Sequence, residues 1–179
     1  EKNLLNINGE KYSGKTHLVN IFLKKFKGIK LDSSSLSDES LKVIKLHQNI
    51  ILEDLDKNIN EKLLYTLFNI IDQDNKFLII TSTKPISEIN FQLEDLRSRT
   101  KNCLFANIQN PDDELMFALI LKNLSDRQIT LDKKLIDFII KRIERSYGKI
   151  FEFIYKIDKI SLKKKKSIDF KIINEALEE

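Results

Sequence analysis

The chain has no tryptophan, a single cysteine, a single methionine, two prolines and four glycines in 179 residues. The lone Cys103 excludes an internal disulfide and a cysteine-built metal cluster; beside Leu104 and Phe105 it reads as an inert thiol in a buried strand. With so little proline and glycine there is no flexible linker. No apolar run approaches the roughly 20 residues that a membrane-spanning helix requires, and Glu1 opens onto a strand pattern instead of a charged leader with a hydrophobic segment. A cytoplasmic protein with no membrane partner is therefore expected. Neither sign of charge dominates: 31 Lys and Arg against 27 Asp and Glu give +4, which tolerates nucleic acid or an acidic partner without demanding either.

What is present begins with Gly9-Glu10-Lys11-Tyr12-Ser13-Gly14-Lys15-Thr16, an uninterrupted G-x-x-x-x-G-K-[ST]. An apolar branched run, Asn3 to Asn8, precedes it, and His17 to Phe26 follows with Leu18, Ile21, Phe22 and Phe26 on one helical face. Strand, loop and helix are the context in which glycines let backbone N–H groups turn toward a polyphosphate at the positive end of a helix. Lys15 is placed to reach the β and γ phosphates of ATP or ADP, and the Thr16 hydroxyl to ligate Mg²⁺.

Further short apolar runs follow: Ile29 to Leu31, Ile50 to Leu52, Phe77 to Ile80 and Cys103 to Ala106. Amphipathic stretches lie between them, with Ser37 or Asp38 capping one that runs to about Lys45, and Glu61 to Asp72 burying Leu63, Leu64, Leu67, Phe68 and Ile71. The third run ends in Glu53-Asp54-Leu55-Asp56. In a parallel sheet the carboxyl ends of the strands face the ligand, so one of these acids could hold Mg²⁺ through water and another could orient an attacking water. Acids at a helix N-terminus are the bland alternative. Thr83 after the fourth run is either a γ-phosphate contact or turn chemistry before Pro85. Arg97 and Arg99 are either phosphate-directed or surface partners of Glu94 and Asp95.

From Pro111 the strand patterns cease. Helical periods are expected with Leu115, Leu119 and Leu124 inward, then Leu135, Phe138, Ile139 and Ile143, then Ile150, Phe153, Ile154, Ile157 and Ile160 from Lys149 to about Leu162, and last Phe170 to Leu177. The division is a nucleotide-binding α/β part over 1–109, expected to lack its own N-terminal segment, and a helical lid over 110–179. Lys149 opens the third lid helix, where the dipole disfavours a cation unless a phosphate accompanies it; a solvated lysine is the alternative. The Lys163 to Lys166 run is a solvated helix end or a weak contact to DNA.

This order of features resembles the AAA+ ATPases: a five-stranded parallel sheet flanked by helices, carrying a phosphate loop and a C-terminal α-helical lid. Gly14-Lys15-Thr16-His17-Leu18, Leu93 to Arg99 and Arg145-Ser146 are similar to the initiator clade of DnaA and its shorter relative Hda. With no helix-turn-helix before Glu179, and with Glu53-Asp54 and Phe91 to Arg99 present, the resemblance is nearer to Hda. It implies a regulator that binds adenine nucleotide over Gly9 to His17, meets the sliding clamp through an N-terminal region absent here, and prompts ATP hydrolysis by a DnaA-type partner. By position Glu53, also the implied Mg²⁺ residue, and Asp54 correspond to the Walker B acids. Thr83 corresponds to the first sensor, Lys149 to the second, and Arg99 to a finger acting in trans. The order Glu53 then Asp54, and lysine where the family usually has arginine, imply weak intrinsic ATPase activity and a point charge in place of a guanidinium fork. Homo-oligomers are compatible with this. The alternatives are the AAA+ core of a DnaA-type initiator that binds origin DNA, and a small-molecule kinase built on the same loop.

Overall fold

The computed structural model describes residues 3–55 and 59–178; Asp56 lies outside them. Contacts divide the chain into two compact units: residues 1–9 with 13–108, and residues 10–12 with 109–179. The middle of the phosphate loop is thus counted with the helical unit.

The first unit is a five-stranded parallel sheet in the order β2-β3-β4-β1-β5. The strands are β1 (Leu4–Gly9), β2 (Gly28–Asp32), β3 (Asn49–Leu55), β4 (Phe77–Ser82) and β5 (Leu104–Ile108). Helices α1 (Lys15–Lys25), α2 (Asp38–Ile44), α3 (Glu61–Gln73) and α4 (Glu94–Lys101) alternate with them. The central strands are continuous apolar runs because both faces are covered. Ile50, Leu52, Leu78 and Ile80 pack with Leu41 and Ile44 of α2, Leu64, Leu67, Phe68 and Ile71 of α3, and Leu96 of α4. The intervening Ile7, Ile51 and Ile79 face the other way, onto Val19 of α1. Helix α2 starts with a capping box between Ser37 and Ser40, and α3 with Asn60 accepting from the N–H groups of Lys62 and Leu63.

Two expectations about burial are corrected. On α1 the buried apolar residue is Val19, while Leu18, Ile21 and Phe26 are 46%, 50% and 45% exposed. The helix meets the sheet along Val19 with Phe22 and Leu23 beside it, so the apolar stripe read from the sequence is rotated away from the contact. In β5, Leu104 and Phe105 are half exposed because the strand is a sheet edge, although Cys103 before it is buried as expected.

The second unit contains α5 (Asp113–Asp126), α6 (Lys133–Ile140), α7 (Tyr147–Lys164) and α8 (Phe170–Glu178). Its core takes Met116, Ile120 and Leu124 from α5, Ile136 and Ile139 from α6, the full expected stripe of α7, and Ile172, Ile173 and Ala176 from α8. Leu115 is corrected from inward to outward, because α5 turns Met116 and Ile120 to the core in its place. Among the described residues no helix is long and apolar enough to cross a membrane.

Candidate functional site

The two loop glycines have separate reasons to be glycine. A Cβ on Gly9 would lie 2.9 Å from both Ile108 Cβ and Ser13 Oγ, so the strand can leave the sheet here only without a side chain. Gly14 has φ +92°, a left-handed conformation that precedes the first turn of α1. Lys15 is 7% exposed and its Nζ donates to the Gly9 carbonyl at 2.8 Å, folding the side chain back over the loop. Gly14, Thr16 and His17 are exposed, and Ser13 Oγ is buried without a hydrogen-bond partner.

Strand order brings the acidic strand end to the same carboxyl edge. β4 separates β1 from β3, and Ser82 is level with both Asn8 and Leu55. The ladder between β3 and β4 slips between Leu52 and Leu55, and Asp54 takes φ +53° there. That slip is pinned by two bonds: the Asp54 N–H donates to Thr81 Oγ1 at 3.0 Å, and the Ser33 hydroxyl donates to the Asp54 carbonyl at 2.8 Å. The Asp54 side chain is exposed. Glu53 is nearly buried and pairs through Oε2 with Lys30 Nζ at 2.9 Å, while its Oε1 is buried with no hydrogen-bond partner. An orphaned carboxylate oxygen at this edge fits a Mg²⁺ ion that reaches the protein through one carboxylate and waters. Among the described residues no cluster of three His, Cys, Asp or Glu could hold a metal unaided, so phosphate oxygens would complete the shell.

The remaining candidates have these settings. Thr83 lies one residue beyond β4 and is exposed; Thr81 and Ser82 before it are buried. Ser82 Oγ accepts from Asn6 Nδ2 at 2.8 Å, and Asn6 Oδ1 accepts from the Ile86 N–H at 2.9 Å, which fixes the chain just past the fourth strand. Arg97 pairs with Glu94, whereas Arg99 reaches α3, where Nη1 lies 2.6 Å from Asp72 Oδ2 and the guanidinium sits over the Tyr65 ring. Lys149 is exposed and bound to Glu152 at 3.1 Å; that hydrogen bond and charge raise its pKa above the ordinary lysine value.

Sequence reasoning missed what the loop's middle does. Both carboxylate oxygens of Glu10 are engaged at the start of α7: Oε1 accepts from the Ser146 hydroxyl, and Oε2 accepts from the Tyr147 N–H at 2.9 Å. Ser146 also caps the helix by accepting from the Lys149 N–H. Tyr12 stacks on Phe151 with centroids 4.7 Å apart and an interplanar angle of 12°. Its φ of +66° costs about 1–2 kcal/mol for a residue with a Cβ. The stack contributes about 0.5–1.5 kcal/mol, and charge-assisted bonds such as those of Glu10 about 1.5–3 kcal/mol each, so the contacts outweigh the strain. Burial, then the Glu10 charge, pushes the Tyr147 phenol above its ordinary pKa. No local signal in the sequence joins Glu10 and Tyr12 to residues so distant along the chain.

No protein-family model matches the chain. The chromosomal replication initiator protein DnaA of Thermoanaerobacter sp. (strain X514) is 26% identical over 189 residues, covering 93% of this chain and 43% of that protein. This chain thus spans less than half the length of such relatives. An uncharacterized protein of Haemophilus influenzae is 26% identical over 182 residues, covering 94% of this chain and 79% of its own. Among solved structures, domain III of Thermotoga maritima DnaA superposes with a TM-score of 0.76 at 18% identity, covering 99% of this chain and 84% of that one. A DnaA bound to AMPPCP and single-stranded DNA gives 0.68 at 19% identity, with 91% and 58% covered. In sequence the chain is thus similar to DnaA replication initiators, and its five-stranded parallel sheet with a helical C-terminal unit is the AAA+ fold of DnaA domain III.

Proposed function

We propose that the chain is a nucleotide-binding AAA+ regulator of chromosomal replication initiation, of the Hda kind. It would act with the sliding clamp on ATP hydrolysis by a DnaA-type partner. The observation that carries the nucleotide reading is the shared strand edge, where the loop leaves β1 and Glu53 presents a buried, unpaired oxygen. Support for adenine nucleotide comes from the related DnaA whose structure holds AMPPCP. The Haemophilus influenzae relative, most of whose length this chain covers, supports only that related proteins shorter than DnaA exist.

In this reading the loop from Gly9 to Thr16, with His17, binds ATP or ADP, and Lys15 leaves the Gly9 carbonyl for the β and γ phosphates. Thr16 and Glu53 hold Mg²⁺, which when bound neutralises phosphate charge. Asp54 orients water, Thr83 contacts the terminal phosphate, and Lys149 exchanges Glu152 for a phosphate. Arg99 acts in trans once released from Asp72. Asp54 is a short acid held by its backbone, which suits slow turnover by the protein itself.

The test is a titration with ADP and ATP in Mg²⁺, in which Lys15→Ala weakens binding about 10- to 100-fold, the range of a lost charge-assisted contact. It is joined to an assay of ATP hydrolysis by DnaA with clamp loaded on DNA. Arg99→Ala is expected to remove about a thousandfold of any stimulation, and equal activity of both forms would overturn the finger assignment. The second reading, the core of a DnaA-type initiator, is favoured by the related DnaA that holds single-stranded DNA. Nucleotide-dependent binding of single-stranded DNA, without stimulation of DnaA, would select it.

A further inference from the structure

The phosphate loop carries an acid, Glu10, in a place built to receive anions. A free carboxylate there would repel a polyphosphate, yet this one is held aside by the Ser146 hydroxyl and the Tyr147 N–H, within the same compact unit. The fit is close, since a Cβ on Gly148 would come 3.2 Å from Glu10 Oε1. Two residues on, Tyr12 is fixed to the next turn of α7 by its stack on Phe151, and the Arg127 guanidinium lies 5.6 Å from the centroid of that ring. The apex of the loop is therefore fastened to the opening turns of α7 at two points, one by charge-assisted hydrogen bonds and one aromatic.

We infer that Glu10 is a positioning residue that couples occupation of the phosphate loop to helix α7: charge entering the loop strains the bonds from Glu10 to Ser146 and Tyr147, and the first turn of the helix loosens. The inference rests on the proposed nucleotide binding. It assigns Glu10 a task that the phosphate-loop motif does not, because the motif leaves this position open. Ser146 joins the two ends of the coupling, since its hydroxyl donates to Glu10 while its oxygen accepts from the Lys149 N–H.

The experiment is amide hydrogen exchange of the full chain, followed on peptides that cover Tyr147 to Ile150, with and without Mg²⁺-ADP and Mg²⁺-ATP, and with affinities measured in parallel. In the parent protein, exchange of this turn is expected to quicken about fivefold on nucleotide binding. In Glu10→Gln, which keeps an acceptor oxygen but loses the charge, the quickening is expected to fall below about twofold when the loop is saturated with nucleotide. Gly148→Ala, which crowds the carboxylate without altering charge, is expected to quicken exchange of the Tyr147 amide before any nucleotide is added. Parent-like quickening in Glu10→Gln overturns the coupling, as does nucleotide binding to the parent that leaves this turn unchanged. A parent chain that binds neither nucleotide overturns the reading of the loop itself, and the coupling with it.

Discussion

Asn6 shows how a single buried polar side chain can set the end of a strand. Its amide donates to the Ile80 carbonyl at 3.1 Å and to Ser82 Oγ, its oxygen accepts from the Ile86 N–H, and it is fully buried. Asn6→Leu keeps the branched shape but strands the Ile86 N–H without a partner, while the Ser82 hydroxyl keeps only its bond to the Lys84 carbonyl. A loss of about 2–3 kcal/mol in denaturant unfolding is expected, against a few tenths for Asn6→Asp at a pH where the acid is neutral. Asparagine within an apolar strand run was visible in the sequence, but its partners were not. Lys30 is a parallel case: read alone it is a solvated strand residue, and only the pairing of β2 with β3 sets it against Glu53. The strand, turn and helix around Gly9 to Thr16 were legible for the opposite reason, since their signals lie in consecutive residues.

Elements were legible where their signals were local. The cap of α2, read as Ser37 or Asp38 and found at Ser37, and the α7 stripe depend on spacings within one or two turns. The facing of α1 depends on which of two apolar stripes meets the sheet, a choice made by tertiary contact with Ile7, Ile51 and Ile79. Two elements also carry pH dependence. Asp32 accepts from the Ser34 hydroxyl and N–H at the turn after β2, and these bonds hold its pKa below the ordinary value of 3.8. Its contribution is present above that value and lost as pH falls through the lowered one. Tyr147 is raised above 10.0, so its contribution is present below 10.0 and lost as pH rises through the raised value. Urea melts of the parent, Asp32→Asn and Tyr147→Phe should therefore diverge from one another at acid and alkaline extremes respectively, and parallel curves for Tyr147→Phe above pH 10 would show that the phenol does not couple to folding.

At the scale of the molecule, the two units have separate cores, one around α3 and the sheet and one around α7. Leu67→Ala and Ile154→Ala each remove a fully buried branched side chain, at about 2–5 kcal/mol. Amide exchange is expected to rise in different halves: across the sheet and α1–α4 for Leu67→Ala, and across α5–α8 for Ile154→Ala. A uniform rise from either variant would mean that the halves unfold as one. The change from strand to helix periodicity near Pro111 lies close to where the second unit resumes at Gln109. The transfer of residues 10–12 to the helical unit could not be read, because it depends on bonds to Ser146, Tyr147 and Phe151.

Among the described residues of the first unit the sheet is clad unequally, with α2, α3 and α4 packed on one side and α1 on the other. Helix α1 is also the one that begins at Lys15, and it is moored by a small patch made of Val19, Ile7, Ile51 and Ile79. Damage to that patch would reach the start of α1, where the nucleotide is proposed to anchor, while most of the molecule stayed intact; on that proposal, the grip on a ligand is set to fail well ahead of the fold that carries it.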